Sequence, residues 1–255
     1  MKGRDGAVLA LVPLVTALGC GGSSKDTSDE ASKSPPQILD DTAGALKRVR
    51  SVRLQGTQTI DDQKTAIRAD LEPPAKVSLV YDQRGAAASI IAVSGSVYIK
   101  ANEGFWKKQG VGRAGAALAG KWFKAPTSEA EFKDLTKGLD VATLSRCLVQ
   151  NHGTLGKGGT ATVDGQPAVV IVDKGDRPGS TPGKLFVATK GEPVPLRIVA
   201  TGEQRPGGIK DRQCNDPSSR THAGDQLSFT KYDEALKIAP PQGALDLTEL
   251  GRTTQ

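Results

Sequence analysis

Hydrophobic positions change period twice along this chain. Ile38, Leu39, Ala43, Leu46 and Val49 recur at helical spacing directly after Pro35-Pro36, which predicts an amphipathic helix from about Gln37 to Val49. From Val52 the period falls to two. Val52 with Leu54, Ala66 to Leu71, Val77 with Leu79 and Tyr81, Ser89 to Val93, and Val97 to Lys100 form five short alternating segments. Each is bounded by Gly, Pro, Asp or Asn, as the strands of an antiparallel meander are. Ser94-Gly95 fits a tight hairpin turn between the last two.

Between about Gly110 and Leu148 the alternation gives way to Ala-rich and charged stretches, Arg113 to Gly120 and Ser128 to Lys137. Ser128 followed by Glu131 matches a capping box and predicts a helix start. Asp140 to Val149 carries Val141, Leu144 and Leu148 on one face and predicts another short helix. Alternation then resumes. Thr160 to Val163 and Ala168 to Val172 flank Asp164-Gly165, a two-residue hairpin signal. Leu185 to Thr189 and Leu196 to Ala200 flank Gly191-Glu192-Pro193, and Gln226 to Tyr232 supplies a late strand. Thr201 to Gly224 is polar and glycine-rich, hence a long loop.

Helix, meander, helical insert and second meander make an α+β chain. Its open antiparallel sheet must cover an apolar face with its own helices. The expected form is a curved half-barrel wrapped around helices, with room for a cavity between them. The residues expected on that interior are Ile38, Leu46 and Val49 from the first helix. Leu54, Ile67, Ala69, Leu71 and Leu79 join them from the strands. Aromatic residues are only 4% of the chain, so small aliphatic side chains must line much of the space. The alternative is a smaller, fully packed sheet-on-helix core.

The N-terminus changes the picture of where this domain works. Lys2 and Arg4 precede an apolar or small stretch from Ala7 to Leu18, shorter than the roughly 20 residues of a spanning helix. It ends in Thr16-Ala17-Leu18-Gly19-Cys20, a pattern that resembles the lipobox of bacterial lipoproteins, with Ala17 where Leu is commoner. Residues 1–19 are therefore expected to be a signal peptide. Cys20 is expected to carry a diacylglyceryl anchor on the extracytoplasmic face of the cell membrane. An ordinary signal peptide with an incidental cysteine is the plainer alternative. Residues 20–36, polar and ending in Pro35-Pro36, read as a flexible tether. Residues 37–250 read as one domain and 251–255 as a tail.

Removing Lys2, Arg4 and Asp5 with the signal lowers the formal charge from +6 to +5. A mild positive excess outside the cell suits anionic headgroups or cell-wall polymers. Nucleic acid is not an expected partner, since basic and aromatic stripes do not interleave. Phe105-Trp106-Lys107-Lys108 and Lys121-Trp122-Phe123-Lys124 each set aromatics beside lysines. Such pairs suit a membrane boundary, though core anchors near strand ends are the plainer reading.

Chemistry-bearing residues are few. Cys147 and Cys214 are the remaining cysteines, and an oxidising compartment favours a disulfide between them. The rival reading is zinc with His152 and His222, whose spacings miss those of compact structural sites. Gly110-Val111-Gly112-Arg113-Ala114-Gly115 has the form GxGxxG, but no apolar strand precedes it. Gly153 to Gly158 lacks the Ser or Thr that a phosphate loop needs after Lys157. Asp40-Asp41 and Asp61-Asp62 fit capping and turn roles. With two histidines and no nucleophile elbow, neither catalysis nor a cofactor is expected.

The outline from the first helix through Val93-Ser94-Gly95-Ser96-Val97-Tyr98-Ile99-Lys100, Gly104-Phe105-Trp106-Lys107-Lys108 and Thr162 to Val170 resembles a known group. With the hairpin Leu185 to Val199, it is similar to actinobacterial lipoproteins of the LppX/LprG type, which share a LolA/LolB-like fold. The resemblance covers roughly Gln37 to Tyr232 and departs at the cysteine-bearing loop 201–224. It implies a carrier binding the acyl chains of a glycolipid or phospholipid; the protein is expected to be a monomer. The alternative is an anchored module that binds a protein or cell-wall partner without lipid cargo.

Overall fold

The computed structural model describes residues 29–128, 140–150, 152–207, 214 and 221–247. The signal segment, Cys20, and all of the helix expected from Ser128 to Lys137 except Ser128 itself lie outside those residues.

The first helix, α1 (Pro35–Arg48), begins two residues earlier than its periodicity predicts. Pro35 and Pro36 occupy its first turn, where their missing N–H groups cost nothing. Gln37 Oε1 accepts from the Ser34 backbone N–H at 3.0 Å and from its hydroxyl at 2.7 Å. A short 3-10 turn, Asp29–Ala31, precedes it, and Glu30 is buried there. Residues 29–34, inside the stretch expected to be tether, thus already contribute a buried side chain. Lys33 joins Glu30 at 2.6 Å to Asp41 at 2.8 Å, so the Asp40-Asp41 pair contributes a structural anchor.

The first meander follows: β1 (Val52–Ile60), β2 (Gln63–Glu72), β3 (Lys76–Gln83), β4 (Ala86–Val93) and β5 (Ser96–Ala101). Two-residue turns join several of them. Asp61-Asp62, Arg84-Gly85 and Ser94-Gly95 all have positive φ at both residues, the backbone twist that matches paired strands. Next come α2 (Glu103–Lys108), a 3-10 turn (Gly112–Ala114), α3 (Gly115–Leu118) and β6 (Trp122–Pro126). Asn102 caps α2, accepting from the backbone N–H groups of Phe105 and Ala87. Gly110 to Gly115 follows a helix instead of a strand, so the GxGxxG pattern is a connector. β6 was hidden from the sequence because it offers only Phe123 and Ala125 as inward apolar positions.

The helix α4 (Val141–Gln150) opens the second half. Asp140 Oδ1 accepts from the Thr143 N–H at 2.7 Å, capping it. The second meander is β7 (Leu155–Val163), β8 (Gln166–Asp173), β9 (Gly183–Ala188), β10 (Pro195–Ala200) and β11 (Gln226–Thr230). A two-residue β12 (Leu245–Asp246) comes last.

The twelve strands among the described residues form one unclosed, curved sheet in the order β12-β6-β5-β4-β3-β2-β1-β11-β10-β9-β8-β7. Every pairing is antiparallel except β12 with β6. The two meanders join where β1 pairs with β11, Leu54 opposite Phe229 and Gly56 opposite Leu227. A Cβ at Gly56 would sit 2.0 Å from the Gln226 carbonyl oxygen, so only glycine permits this seam. The concave face is covered by α1 and α4. They are tied by the Ser145 hydroxyl, which donates to the Ala43 carbonyl at 2.8 Å inside the core. This is the α+β architecture that the order of elements predicts.

Candidate functional site

Along each strand every second residue faces the helices, and across the sheet those residues form rows. One row runs Phe229, Leu54, Ala69, Leu79, Ile90, Ile99, Phe123 from β11 to β6. Phe123 is 1% exposed, and Trp106 of α2 stands edge-on to it with centroids 5.9 Å apart. Leu46 of α1, Val49 just after it and Val141 of α4 pack on the same row. This half of the concave face is filled.

The expectation that eight residues line an open cavity therefore needs correction. Ile38, Leu54, Ala69 and Leu71 are buried in packed core, and Ile67 and Leu79 are half-buried on the same face. Of the eight, Leu46 borders one cavity and Val49 a second. Alternation identified the correct face, but not which part of it the helices fill.

The open space lies in the other meander. A cavity of about 360 Å³ sits between α4 and α1 above β8 to β11. Leu144 and Leu148 of α4 and Leu39 and Leu46 of α1 form its roof. Its floor is a second row, Ile171, Leu185, Ile198, Leu227. Phe229 closes one end. The walls are mostly aliphatic, and polar groups gather at the opposite end around His152, Asp173, Lys184 and Asp225.

These polar groups are held by structure. Asp225 is buried and accepts from the Thr59 hydroxyl at 2.8 Å, the Lys64 ammonium at 2.7 Å and the His222 N–H at 2.9 Å. Burial pushes its pKa up, but the Lys64, His222 and Thr59 donors together outweigh burial and hold it below the ordinary carboxylate value. Asp173 shows the opposite balance. Burial raises its pKa despite the N–H groups of Gly175 at 2.8 Å and Gly153 at 3.0 Å. A Cβ at Gly153 would fall 2.5 Å from Asp176 Oδ1, so this turn also requires glycine.

Cys147, which borders the cavity, is bonded to Cys214, with Cα atoms 5.2 Å apart. The disulfide fastens the loop after β10 to α4. Backbone bonds pin both ends of that loop, Thr201 N–H to Pro182 O at 2.8 Å and Gln204 N–H to Thr221 O at 2.9 Å. His152 Nδ1 contacts the Gly153 carbonyl, and His222 Nδ1 lies 2.7 Å from Glu203. With both cysteines in the disulfide, the zinc reading fails. No group of three metal-ligating residues occurs among the described residues. Lys157 donates to the Ala31 carbonyl from within β7, so Gly153 to Gly158 is no phosphate loop. Trp106 is a core anchor, whereas Trp122 alternates to the sheet's other face. No helix among the described residues is long and apolar enough to cross a membrane.

A second cavity, about 720 Å³, lies beyond Phe229. Ala45, Val49, Val194 and Tyr232 contribute its apolar part, and an Arg48–Glu192 ion pair of 2.5 Å stands at its edge. Sequence reasoning missed this space and most of the first. The lining residues come from eight helices and strands and the loops between them, and no local signal marks them.

No protein-family model and no curated protein sequence matches the chain. Solved structures do. LprF from Mycobacterium bovis superposes with a TM-score of 0.53 at 16% identity, over 86% of this chain and 100% of that one. The Mycobacterium tuberculosis lipoprotein LppX gives a TM-score of 0.48 at 15% identity, over 80% and 98%. The likeness to LprF establishes the fold, and it agrees with the resemblance to LppX/LprG-type lipoproteins visible in the sequence.

Proposed function

We propose that this protein is a membrane-anchored extracytoplasmic lipoprotein that binds an amphiphilic lipid, a glycolipid or phospholipid, by its acyl chain. The observation that carries this reading is the cavity under α4: aliphatic walls, polar groups at one end, and no side chain large enough to fill it. Its volume falls in the range of small-molecule sites, roughly 300–1,000 Å³. An apolar space of this kind stays dry and gains about 0.8 kcal/mol for each methylene it buries. The polar end would face a headgroup. The LprF-like fold supports the reading, and LppX, a neighbour in fold, is itself a lipoprotein.

The anchor is assigned to Cys20, since the segment before it has the charge, length and small residues of a lipoprotein signal. Stable attachment takes more than one acyl chain, which a diacylglyceryl group supplies. The domain is read as a carrier, not a catalyst. Its cavity carboxylates are committed to Thr59, Lys64 and backbone N–H groups, and its histidines to Glu203 and a carbonyl.

Organic extraction of the purified protein followed by mass spectrometry tests the cargo. A stoichiometric acyl lipid is expected, and Leu148→Trp, which fills the cavity from α4, should lose it. A lipid-free protein that also ignores a fluorescent fatty-acid probe would leave an anchored binding module as the better reading. Separately, Cys20→Ala should release the protein from membranes or block its processing; wild-type membrane fractionation of that variant would place the anchor elsewhere.

A further inference from the structure

Among the described residues, Phe229 is the one that borders both cavities. Three elements reach the two spaces through adjacent positions. On α1, Ala45 lines the second cavity and Leu46 the first; before and in β10, Val194 lines the second and Pro195 the first. On β11 a single residue, Phe229, lines both. The partition between them is therefore about one side chain thick, and the Phe229 ring is its largest part. That ring is 4% exposed, points from the concave face of the sheet and pairs across the seam with Leu54.

We propose that Phe229 is the end-stop of the acyl site, setting the longest chain the first cavity accepts. The inference rests on the lipid-binding reading above. A tail entering from the polar end, past His152 and Lys184, runs between Leu148 and the Ile198–Leu227 floor and meets the ring. Beyond the ring, the second space offers Ala45, Val49, Val194 and Tyr232 to a longer tail. Tyr232 cannot swing aside cheaply, because its hydroxyl donates to the Pro195 carbonyl at 2.5 Å from a half-buried position. Phe229 makes no hydrogen bond through its side chain. Shortening it opens the path without leaving a polar group unpaired.

The test is a displacement titration with straight-chain fatty acids from octanoic to tetracosanoic acid, using delipidated wild type, Phe229→Ala and Phe229→Leu. In wild type, affinity should climb about fourfold per methylene, which is about 0.8 kcal/mol, and then level off at a definite length. Phe229→Ala should move that plateau to longer chains and raise affinity for the longest acids by tenfold or more. The shortest acids should bind both proteins alike. Phe229→Leu guards against loss of folding in the alanine variant and should shift the plateau partway. An unchanged plateau in a folded Phe229→Leu or Phe229→Ala overturns the proposal, as does a uniform loss at every length, which marks a structural role only. Wild type that binds no acid of any length overturns the lipid-binding reading itself, and the end-stop with it.

Discussion

The two meanders of this sheet have the same alternation of apolar and polar residues, yet one half of the concave face is packed and the other is hollow. From β1 to β6 the row through Leu54, Ala69, Leu79, Ile90, Ile99 and Phe123 is sealed by Trp106 from α2 and by the end of α1. From β8 to β11 the corresponding row of Ile171, Leu185, Ile198 and Leu227 meets aliphatic side chains alone, Leu39 and Leu46 of α1 and Leu144 and Leu148 of α4, and a cavity remains between them. Three of the chain's five phenylalanines and one of its two tryptophans differ in consequence. Phe105, Trp106 and Phe123 form an edge-to-face chain in the filled half, while Phe229 stands at the border. Aromatic volume, placed unevenly, separates a core from a cavity.

The largest effect that can break this comparison is Phe123→Ala. In the filled half it should cost roughly 3–5 kcal/mol in urea unfolding. Leu148→Ala, at the cavity wall, should cost less than half as much. Equal losses would mean that the two halves are packed alike.

The disulfide comes next. Cys147→Ser or Cys214→Ser should each lower stability by roughly 2–4 kcal/mol, since the bridge closes a 67-residue separation. The two should agree, because either one opens the same loop. Lipid binding should also weaken, because the bridge holds α4 over the cavity. Binding unchanged alongside lost stability would separate the bridge from the site. Intact mass after alkylation without reductant should show both thiols blocked.

Ala69→Phe sharpens the contrast further. In the packed half it should overpack the core and destabilise by roughly 1–3 kcal/mol with little effect on probe binding. Leu148→Trp should do the reverse, abolishing binding with stability nearly unchanged. Should Ala69→Phe abolish binding in a folded protein, the cavity extends under β2 after all.

The smallest effect is electrostatic, at the polar end of the cavity. Asp225 has its folded pKa lowered, so its contribution is present above the unfolded carboxylate value, about 3.9. It is lost as pH falls through the folded pKa. Asp173 has its folded pKa raised, so it favours the folded state below the unfolded value and loses that contribution as pH rises through the folded one. Asp225→Asn should therefore cost about 1 kcal/mol at neutral pH and flatten the acid limb of stability. Asp173→Asn should flatten the slope of opposite sign just above the unfolded value. Both follow from unfolding midpoints across acidic pH.

Much of the fold is legible in the sequence alone. Five strands of the first meander, both two-residue hairpin turns at Ser94-Gly95 and Asp164-Gly165, and the cap at Asp140 follow local rules that tertiary contacts did not override. So does the pairing of Cys147 with Cys214, expected of the two cysteines that lie within the domain. Misjudged positions have local reasons too. α1 starts at Pro35 because proline is free in a first turn, and Glu30 is buried though its neighbours read as tether. β6 is too short to show its period.

What the sequence determined by itself was the face: period two along each strand decides which side chains turn inward, because backbone geometry settles it residue by residue. What only the tertiary structure decided was the filling of that face. A cavity is the volume left when separate elements meet, and its boundary depends on how far α4 stands from β8 to β11 and where Trp106 and Phe229 land. Those distances are set by register, by the Gly56 seam and by the tie from Ser145 to Ala43. None of them is written in any one stretch of chain, so Leu54 and Ile198, equally apolar and equally alternating, end up on opposite sides of the difference between core and site.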